Sequence, residues 1–456
     1  MINFSKFRYQ ILFLIVGFFA AILISFFKSI PVHSSYYLFF SISFLSLLAI
    51  SFVKPISEFF LLMNFFFFLG FWGKISVYIL TEHRLGEAAG TFDLNILNKS
   101  LISSSTYALV LLIFQAGFKY SKFSIKPLWK FEEKINYPKY IIIFFLVLVF
   151  SVALINHKMG IFRVGIDSTY SLFLPISILF YWFMGPGSSF IAFSMAKKDY
   201  RFIDTLMIAL TMTAISVSII SRNSLLYFSY PIAVKFFTEI KNFKKAFIHT
   251  AIVFIFFVIS LFSITQLRRA YYYNDNSPEQ VASAARSGES RIKWSYTIGS
   301  IAQVFMDRWI GIEGVIVANS NKSDEKFSTI INEDSKINRT SIYHNLSNSI
   351  YPTSGKYLFY TLPGPLGLLT FIESSSLKIV SWIVFLGILA VTYFVSEFFL
   401  AGLPKSAFCW WAASNMTQMS LFPIFNLKIY IIYTILIIFT AFAIKKISEN
   451  YFQSKT

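Results

Sequence analysis

Apolar runs of about 17 to 25 residues recur along this chain of 456, and each can cross roughly 30 Å of hydrocarbon as a helix. Inside hydrocarbon every backbone N–H and C=O must be satisfied within the protein, so repeated runs of this length dictate helices. Composition agrees: 56% of residues are hydrophobic and 14% are charged, too little polar surface for a soluble domain. Candidate spans fall at about 9–28, 36–53, 57–80, 100–118, 139–155, 171–195, 203–220, 223–240, 247–265, 377–400, 406–425 and 428–444. The expected fold is an all-α polytopic membrane protein with about 12 transmembrane helices and one large, partly helical outer loop between helices 9 and 10. The first run follows Lys6 and Arg8 as a signal peptide would, but it is long and further spans follow at once, so it reads as an uncleaved helix. The chain then divides into a bundle of helices 1–9 (residues 1–265), the outer loop (266–376), and helices 10–12 with a cytoplasmic tail (377–456).

Lysine sets the orientation. With the N-terminus inside, the short inner segments carry Lys54, six lysines from Lys119 to Lys139, Lys197 and Lys198, Lys241, Lys244 and Lys245, Lys405, and Lys445 and Lys446. That is the positive-inside pattern, and it puts both termini in the cytoplasm. Arginine runs the other way. Of 11 arginines, nine fall on the outer side: Arg84, Arg163, Arg222, Arg268, Arg269, Arg286, Arg291, Arg308 and Arg339. Guanidinium is always charged and forks two N–H donors onto phosphate or carboxylate oxygens, so this gathering points to an anionic group gripped at the outer face.

Several classes are excluded. The net charge of +18 sits mostly in short inner loops facing anionic headgroups and does not indicate nucleic acid. The single cysteine, Cys409, allows no internal disulfide. No zinc-type Cys/His spacing, P-loop, dinucleotide fingerprint or nucleophile elbow is present, and no carboxylate cluster suits Mg²⁺, so neither metal nor cofactor is expected.

The outer loop has structure of its own. Ser277–Pro278–Glu279–Gln280 reads as a helix start, and a second helix is expected over about 291–318. On it Ile301, Val304, Phe305, Arg308, Ile312 and Val315 share one face. Residues 320–340 form a hydrophilic excursion. The chain then returns through Pro352, Gly355, Pro363, Gly364, Pro365 and Gly367, a density that dictates a shaped, non-helical re-entry.

Five arginines and one histidine are candidates for chemistry. Arg308 lies mid-stripe on that helix, where a charge is costly unless paired or facing a wet cavity; Asp307 and Glu313 are near in sequence but on another face. Arg222, in the turn Ser221–Arg222–Asn223, interrupts some 35 apolar residues and is either an interfacial turn residue or functional. Arg268 and Arg269 follow the ninth span and precede Tyr271, Tyr272 and Tyr273, which read as an interface belt or as a sugar-stacking platform. Arg163 lies in the outer stretch from Asn156 to Tyr170. His344 is the one histidine of the outer loop, and an imidazole can accept a proton near neutral pH.

A dozen helices, a large outer loop between the ninth and tenth, and outer-face arginines resemble the Wzy-type O-antigen and capsule polymerases and the related O-antigen ligases. In those families His followed by Asn, Ser or Gln precedes a glycine by nine residues. Here His344–Asn345 is followed by Leu346 to Ser354 and then Gly355. Gly364–Pro365–Leu366–Gly367–Leu368–Leu369 resembles the glycine-bearing helix start after the loop, and Arg222 matches an outer-turn arginine. The resemblance implies a metal-independent glycosyltransferase at the periplasmic face of the bacterial inner membrane. It would polymerise undecaprenyl-diphosphate-linked oligosaccharide repeat units into O-antigen or capsular polysaccharide, with such lipids as both donor and acceptor. Arg222 and Arg308 would hold the diphosphate, with Arg163, Arg268 and Arg269 as secondary candidates, and His344 would be the general base. The bilayer and a chain-length regulator are the implied partners. The alternatives are a ligase transferring the glycan to lipid A–core and a flippase or exporter of the lipid-linked sugar.

Overall fold

The structure, a computed structural model, describes residues 8–53, 57–81, 85, 93–120, 139–163, 172–196, 202–238, 243–275, 310–333, 342–347, 363–418 and 424–453. Every regular element among them is helical. Arg308 and the helix start expected at 277–280 lie outside the described residues.

The first half of the chain forms α1 (Arg8–Phe26), α2 (Ser34–Ile50), α3 (Glu58–Phe67), α4 (Lys74–Thr81), α5 (Leu94–Tyr120), α6 (Lys139–Met159), α7 (Leu174–Trp182), α8 (Ser188–Met195), α9 (Phe202–Ser218), α10 (Arg222–Thr238) and α11 (Phe243–Asp275). The segment 266–376 contributes α12 (Ile312–Ser320), α13 (Asp324–Ile331), α14 (Ile342–Ser347) and α15 (Gly364–Phe371), and the chain continues as α16 (Ser375–Phe398), α17 (Gly402–Thr417) and α18 (Ile424–Gln453). Among the described residues seven helical stretches are long and apolar enough to cross a membrane: Glu58–Thr81, Leu94–Lys119, Lys139–Met159, Pro175–Met195, Phe247–Leu267, Ser375–Phe398 and Asn426–Lys446. Three shorter apolar helices, Leu12–Phe26, Ser34–Ile50 and Phe202–Ser218, match other expected spans.

Outward faces are apolar. Phe254, Ile255, Val258 and Phe262 on α11 are more than two-fifths exposed, as are Ile379, Ile383 and Val391 on α16. Side chains like these would aggregate in water, and acyl chains are their natural contact. Polar side chains stitch the interior instead. Asn64 on α3 and Gln115 on α5 exchange amide hydrogen bonds of 2.8 and 2.9 Å. At the C-terminal end of α2, Lys119 donates to the carbonyls of Ile50 and Val53, a cation placed where a helix leaves carbonyls unsatisfied.

Two spans are broken by π-helical turns. Phe68–Gly73 separates α3 from α4, and Phe183–Gly187, containing Pro186, separates α7 from α8. Proline lacks the N–H that the ladder needs, and Gly185 leaves helical geometry altogether (φ −99°, ψ −116°).

Two expectations are corrected. The helix expected over about 291–318 does not run through Gly311, whose backbone is non-helical (φ −175°, ψ −114°), and α12 starts at Ile312. Glycine is required at this point, because a Cβ on Gly311 would stand 2.0 Å from the Gly70 carbonyl oxygen. The re-entry expected to be non-helical through Gly367 is helical from Gly364, where α15 begins with Pro365 in its first turn. Arg268 and Arg269 follow the apolar span Phe247–Leu267, and the helix itself runs on to Asp275.

Candidate functional site

Two short helices of the segment 266–376, α12 and α15, are built into the bundle. On α12 every residue from Ile312 to Asn319 is buried, and so is every residue of α15. Glycines let them in. At Gly314 a Cβ would lie 1.8 Å from the Pro363 carbonyl oxygen, and at Gly367 it would lie 2.7 Å from the Gly314 carbonyl carbon, so the two short helices cross backbone to backbone. Gly364 opens α15 in the left-handed region (φ 67°), with Pro365 at the first helical turn. The peptide of Ile310 is held by Gln418 on the far side, its N–H donating to Oε1 at 2.9 Å.

A buried ion pair pins this arrangement. Lys74 Nζ lies 2.5 Å from Glu313 Oε2, with each side chain 1% exposed. Lys74 is the first residue after the π-helical turn, and its backbone N–H reaches both Leu69 and Phe71 carbonyls. The turn therefore does two things: it presents Gly70 to the Ile310–Gly311 backbone and aims Lys74 at α12. Burying such a pair yields little net stability, whereas stranding either partner is costly, so its value here is registration of α12 against the span.

Beside the pair runs a polar stripe. Ser100, Ser104 and Tyr107 follow helical spacing on α5. Asn319 Nδ2 donates to Ser100 Oγ at 2.9 Å, and Thr370 Oγ1 donates to the Tyr107 hydroxyl at 3.2 Å. Ser104 Oγ and Asn319 Oδ1 are buried with no hydrogen-bond partner among the described residues. Buried polar atoms are nearly always satisfied, so such exceptions mark places where water or a ligand group belongs.

Among the predicted residues, Arg163 and Arg222 fall on segments held together as a first set, His344 stands apart on α14, and Arg268 and Arg269 lie on α11. Asn156 joins the first set: its Nδ2 donates to the Ser218 carbonyl (3.1 Å) and to the Phe162 carbonyl (2.9 Å), and its Oδ1 accepts from the Phe162 N–H. That clamp fastens the segment bearing Arg163 to the α9–α10 turn, where Ile220 takes a positive φ of 56° and Ser221 Oγ accepts from the Ser224 N–H. Arg222 is then the first residue of α10, and Arg163 donates to the His157 carbonyl at 3.1 Å. His344 lies elsewhere. It is buried on α14, its carbonyl accepting from Ser347 Oγ, while Ile342 N–H donates to Glu333 at 2.9 Å and the Tyr343 ring meets Phe371 of α15 edge-on. Glu313, one sequence neighbour considered for Arg308, is engaged by Lys74.

The sequence alone did not single out Lys74, Ser104 or Asn319, and it offered Glu313 only as a neighbour of Arg308. One signal was available: Lys74 is a lone cation within the expected span 57–80, and a charge at that depth needs a named partner. The partner itself, 239 positions away, carries no sequence mark. No group of three or more His, Cys, Asp or Glu among the described residues could hold a metal ion. Comparison of the chain with protein-family models, curated proteins and solved structures finds no match in any of the three.

Proposed function

We propose that the protein is a membrane glycosyltransferase that polymerises undecaprenyl-diphosphate-linked oligosaccharide repeat units at the outer face of a bacterial inner membrane, building O-antigen or capsular polysaccharide. The full arrangement in this reading has twelve spans, both termini cytoplasmic and the segment 266–376 periplasmic. The acceptor hydroxyl oxygen attacks the anomeric carbon of the donor. The anomeric C–O bond breaks, its electron pair leaves with the lipid diphosphate, and the hydroxyl proton passes to His344. Arg222 and Arg308 stabilise the developing diphosphate charge through forked N–H donors, with Arg163, Arg268 and Arg269 as secondary contacts.

The observation that carries this reading is the burial of the outer segment's own helices in the bundle. A substrate with a polyprenyl tail and a polar glycan needs hydrogen-bonding groups beside apolar spans. The stripe of Ser100, Ser104, Tyr107, Asn319 and Thr370 supplies them where α12 and α15 meet α5. A second reading, a flippase for the same lipid-linked glycan, draws support from the two π-interrupted spans, since broken helices build midplane sites in transporters.

Deletion of the gene followed by electrophoresis of surface polysaccharide separates them. Loss of the ladder with one repeat unit retained supports the polymerase; loss of every repeat unit supports flippase or ligase. In a purified assay with synthetic lipid diphosphate donor and acceptor, His344→Gln should lower turnover about 10²–10⁴-fold. Arg222→Lys should rescue poorly, because lysine keeps the charge and loses the fork.

A further inference from the structure

Three lysines converge at the outer rim of the junction between α5, α12 and α16. The Asn319–Ser100 hydrogen bond sets the end of α12 against the turn of α5 that carries Lys99. A few residues on, the Asp324 carboxylate accepts the backbone N–H groups of Glu373 (2.8 Å) and Ser374 (3.2 Å), and the Ser323 N–H donates to the Phe371 carbonyl at 3.0 Å. Those contacts seat Lys322 beside the start of α16, whose first turn carries Lys378, with its Nζ 5.9 Å from the centre of the Tyr107 ring. No carboxylate pairs with Lys99, Lys322 or Lys378 within salt-bridge distance among the described residues. Burial, and then the charges of Lys378 and Lys99, hold the Lys322 ammonium below its ordinary pKa, with Glu373 opposing them. Close by, Ser104 Oγ and Asn319 Oδ1 are the buried, unpartnered polar atoms of the stripe.

We propose that Lys99, Lys322 and Lys378 form an outer-face binding site for the phosphate of a membrane lipid headgroup. Three like charges opposed by the single Glu373 carboxylate still repel one another, and a phosphate anion between them turns that repulsion into attraction. Lysine binds phosphate as a point charge on a flexible stem, and its methylenes can lie along the apolar helix ends while the ammonium meets the headgroup plane. A polyprenyl diphosphate and a bulk anionic phospholipid share this chemistry. Naming the diphosphate as the source rests on the transferase reading; the binding of a lipid phosphate does not.

The test uses the full chain in nanodiscs, with undecaprenyl diphosphate as one probe and phosphatidylglycerol in place of phosphatidylcholine as the other. Lys99→Gln/Lys322→Gln/Lys378→Gln should weaken undecaprenyl diphosphate binding by about tenfold or more, while Lys326→Gln, whose ammonium is turned to Asn321, should leave it unchanged. If instead phosphatidylglycerol raises the melting temperature of the parent protein and not of the triple variant, the site stands and bulk lipid is its source. A folded triple variant that matches the parent with both probes overturns the site. Should the triple variant fail to fold, Glu373→Gln provides the second reading, since removing the opposing carboxylate should tighten binding about two- to threefold; unchanged affinity there counts against the site. A protein that binds the diphosphate through these lysines yet makes no polymer retains the site and loses the transferase.

Discussion

α11 and α12 solve opposite problems with similar-looking residues. Over the apolar window of α11 only 17% of residues are buried, whereas α12 is buried along nearly its whole length. α11 bonds to α9 through His249 and Ser260, which meet Thr205 and Thr213, and otherwise relies on apolarity: Phe254, Ile255 and Phe262 face outward, where lipid tolerates any apolar shape. α12 is too short to span and reaches the interior through two glycines, one carboxylate paired to Lys74, and one asparagine bonded to Ser100. Hydropathy therefore measures contact with lipid. Entry into the protein interior is encoded by small residues and by matched polar groups.

The sharpest way to break this contrast is at the ion pair. Glu313→Ala strands Lys74 in a buried site and should cost about 3–5 kcal/mol, lowering the melting temperature of the purified protein strongly. A Lys74→Met/Glu313→Leu double variant should recover much of that loss. If Glu313→Ala melts like the parent, α12 does not sit against Lys74.

Glycines give a paired comparison of smaller size. Gly314→Ala forces a Cβ onto the Pro363 carbonyl and should destabilise by roughly 1–3 kcal/mol. Gly387→Ala on α16, where a Cβ meets nothing within 4 Å, should stabilise by roughly 0.5–1 kcal/mol through helix propensity. Equal effects in thermal melts would erase the distinction between the two regions.

The smallest effect concerns the exposed staple at Asp324. The backbone N–H of Glu373, and then the contacts with Ser374, hold its carboxyl below the ordinary carboxylate range. A depressed carboxylate contributes above its ordinary pKa, and the contribution is lost as pH falls through the lowered value. Amide exchange at Glu373 and Ser374 should thus be slow at neutral pH and quicken in acid beyond the intrinsic change, and Asp324→Asn should remove that extra acid dependence.

These contrasts also explain what the sequence made legible. The spans at 57–80, 100–118, 139–155, 247–265 and 377–400 were readable because long apolar runs have one explanation in a chain of this composition. The turn at Ser221–Arg222–Asn223 was readable too, since three polar residues interrupt some 35 apolar ones, and α10 does start at Arg222. The break at Gly311 was not. There the backbone passes against the Gly70 carbonyl, presented by a π-helical turn that no local pattern announces. At the candidate site, Ser100, Ser104 and Tyr107 share a helical stripe that could be counted from the sequence, but their partners Asn319 and Thr370 come from a distant segment. Arg222 and His344 were singled out by residue type and spacing, signals that say nothing of neighbours in space.

The central claim is that the segment between α11 and α16 is built into the bundle through α12, and a cross-link in native membranes tests it most directly. With Cys409 replaced by alanine, Ser100→Cys/Asn319→Cys should form a disulfide under mild oxidation, because those side chains stand in hydrogen-bond contact. The single variant Asn319→Cys should resist an impermeant thiol reagent applied from outside. Rapid labelling of Asn319→Cys, with no cross-link in the double variant, would place α12 outside the bundle and contradict the account.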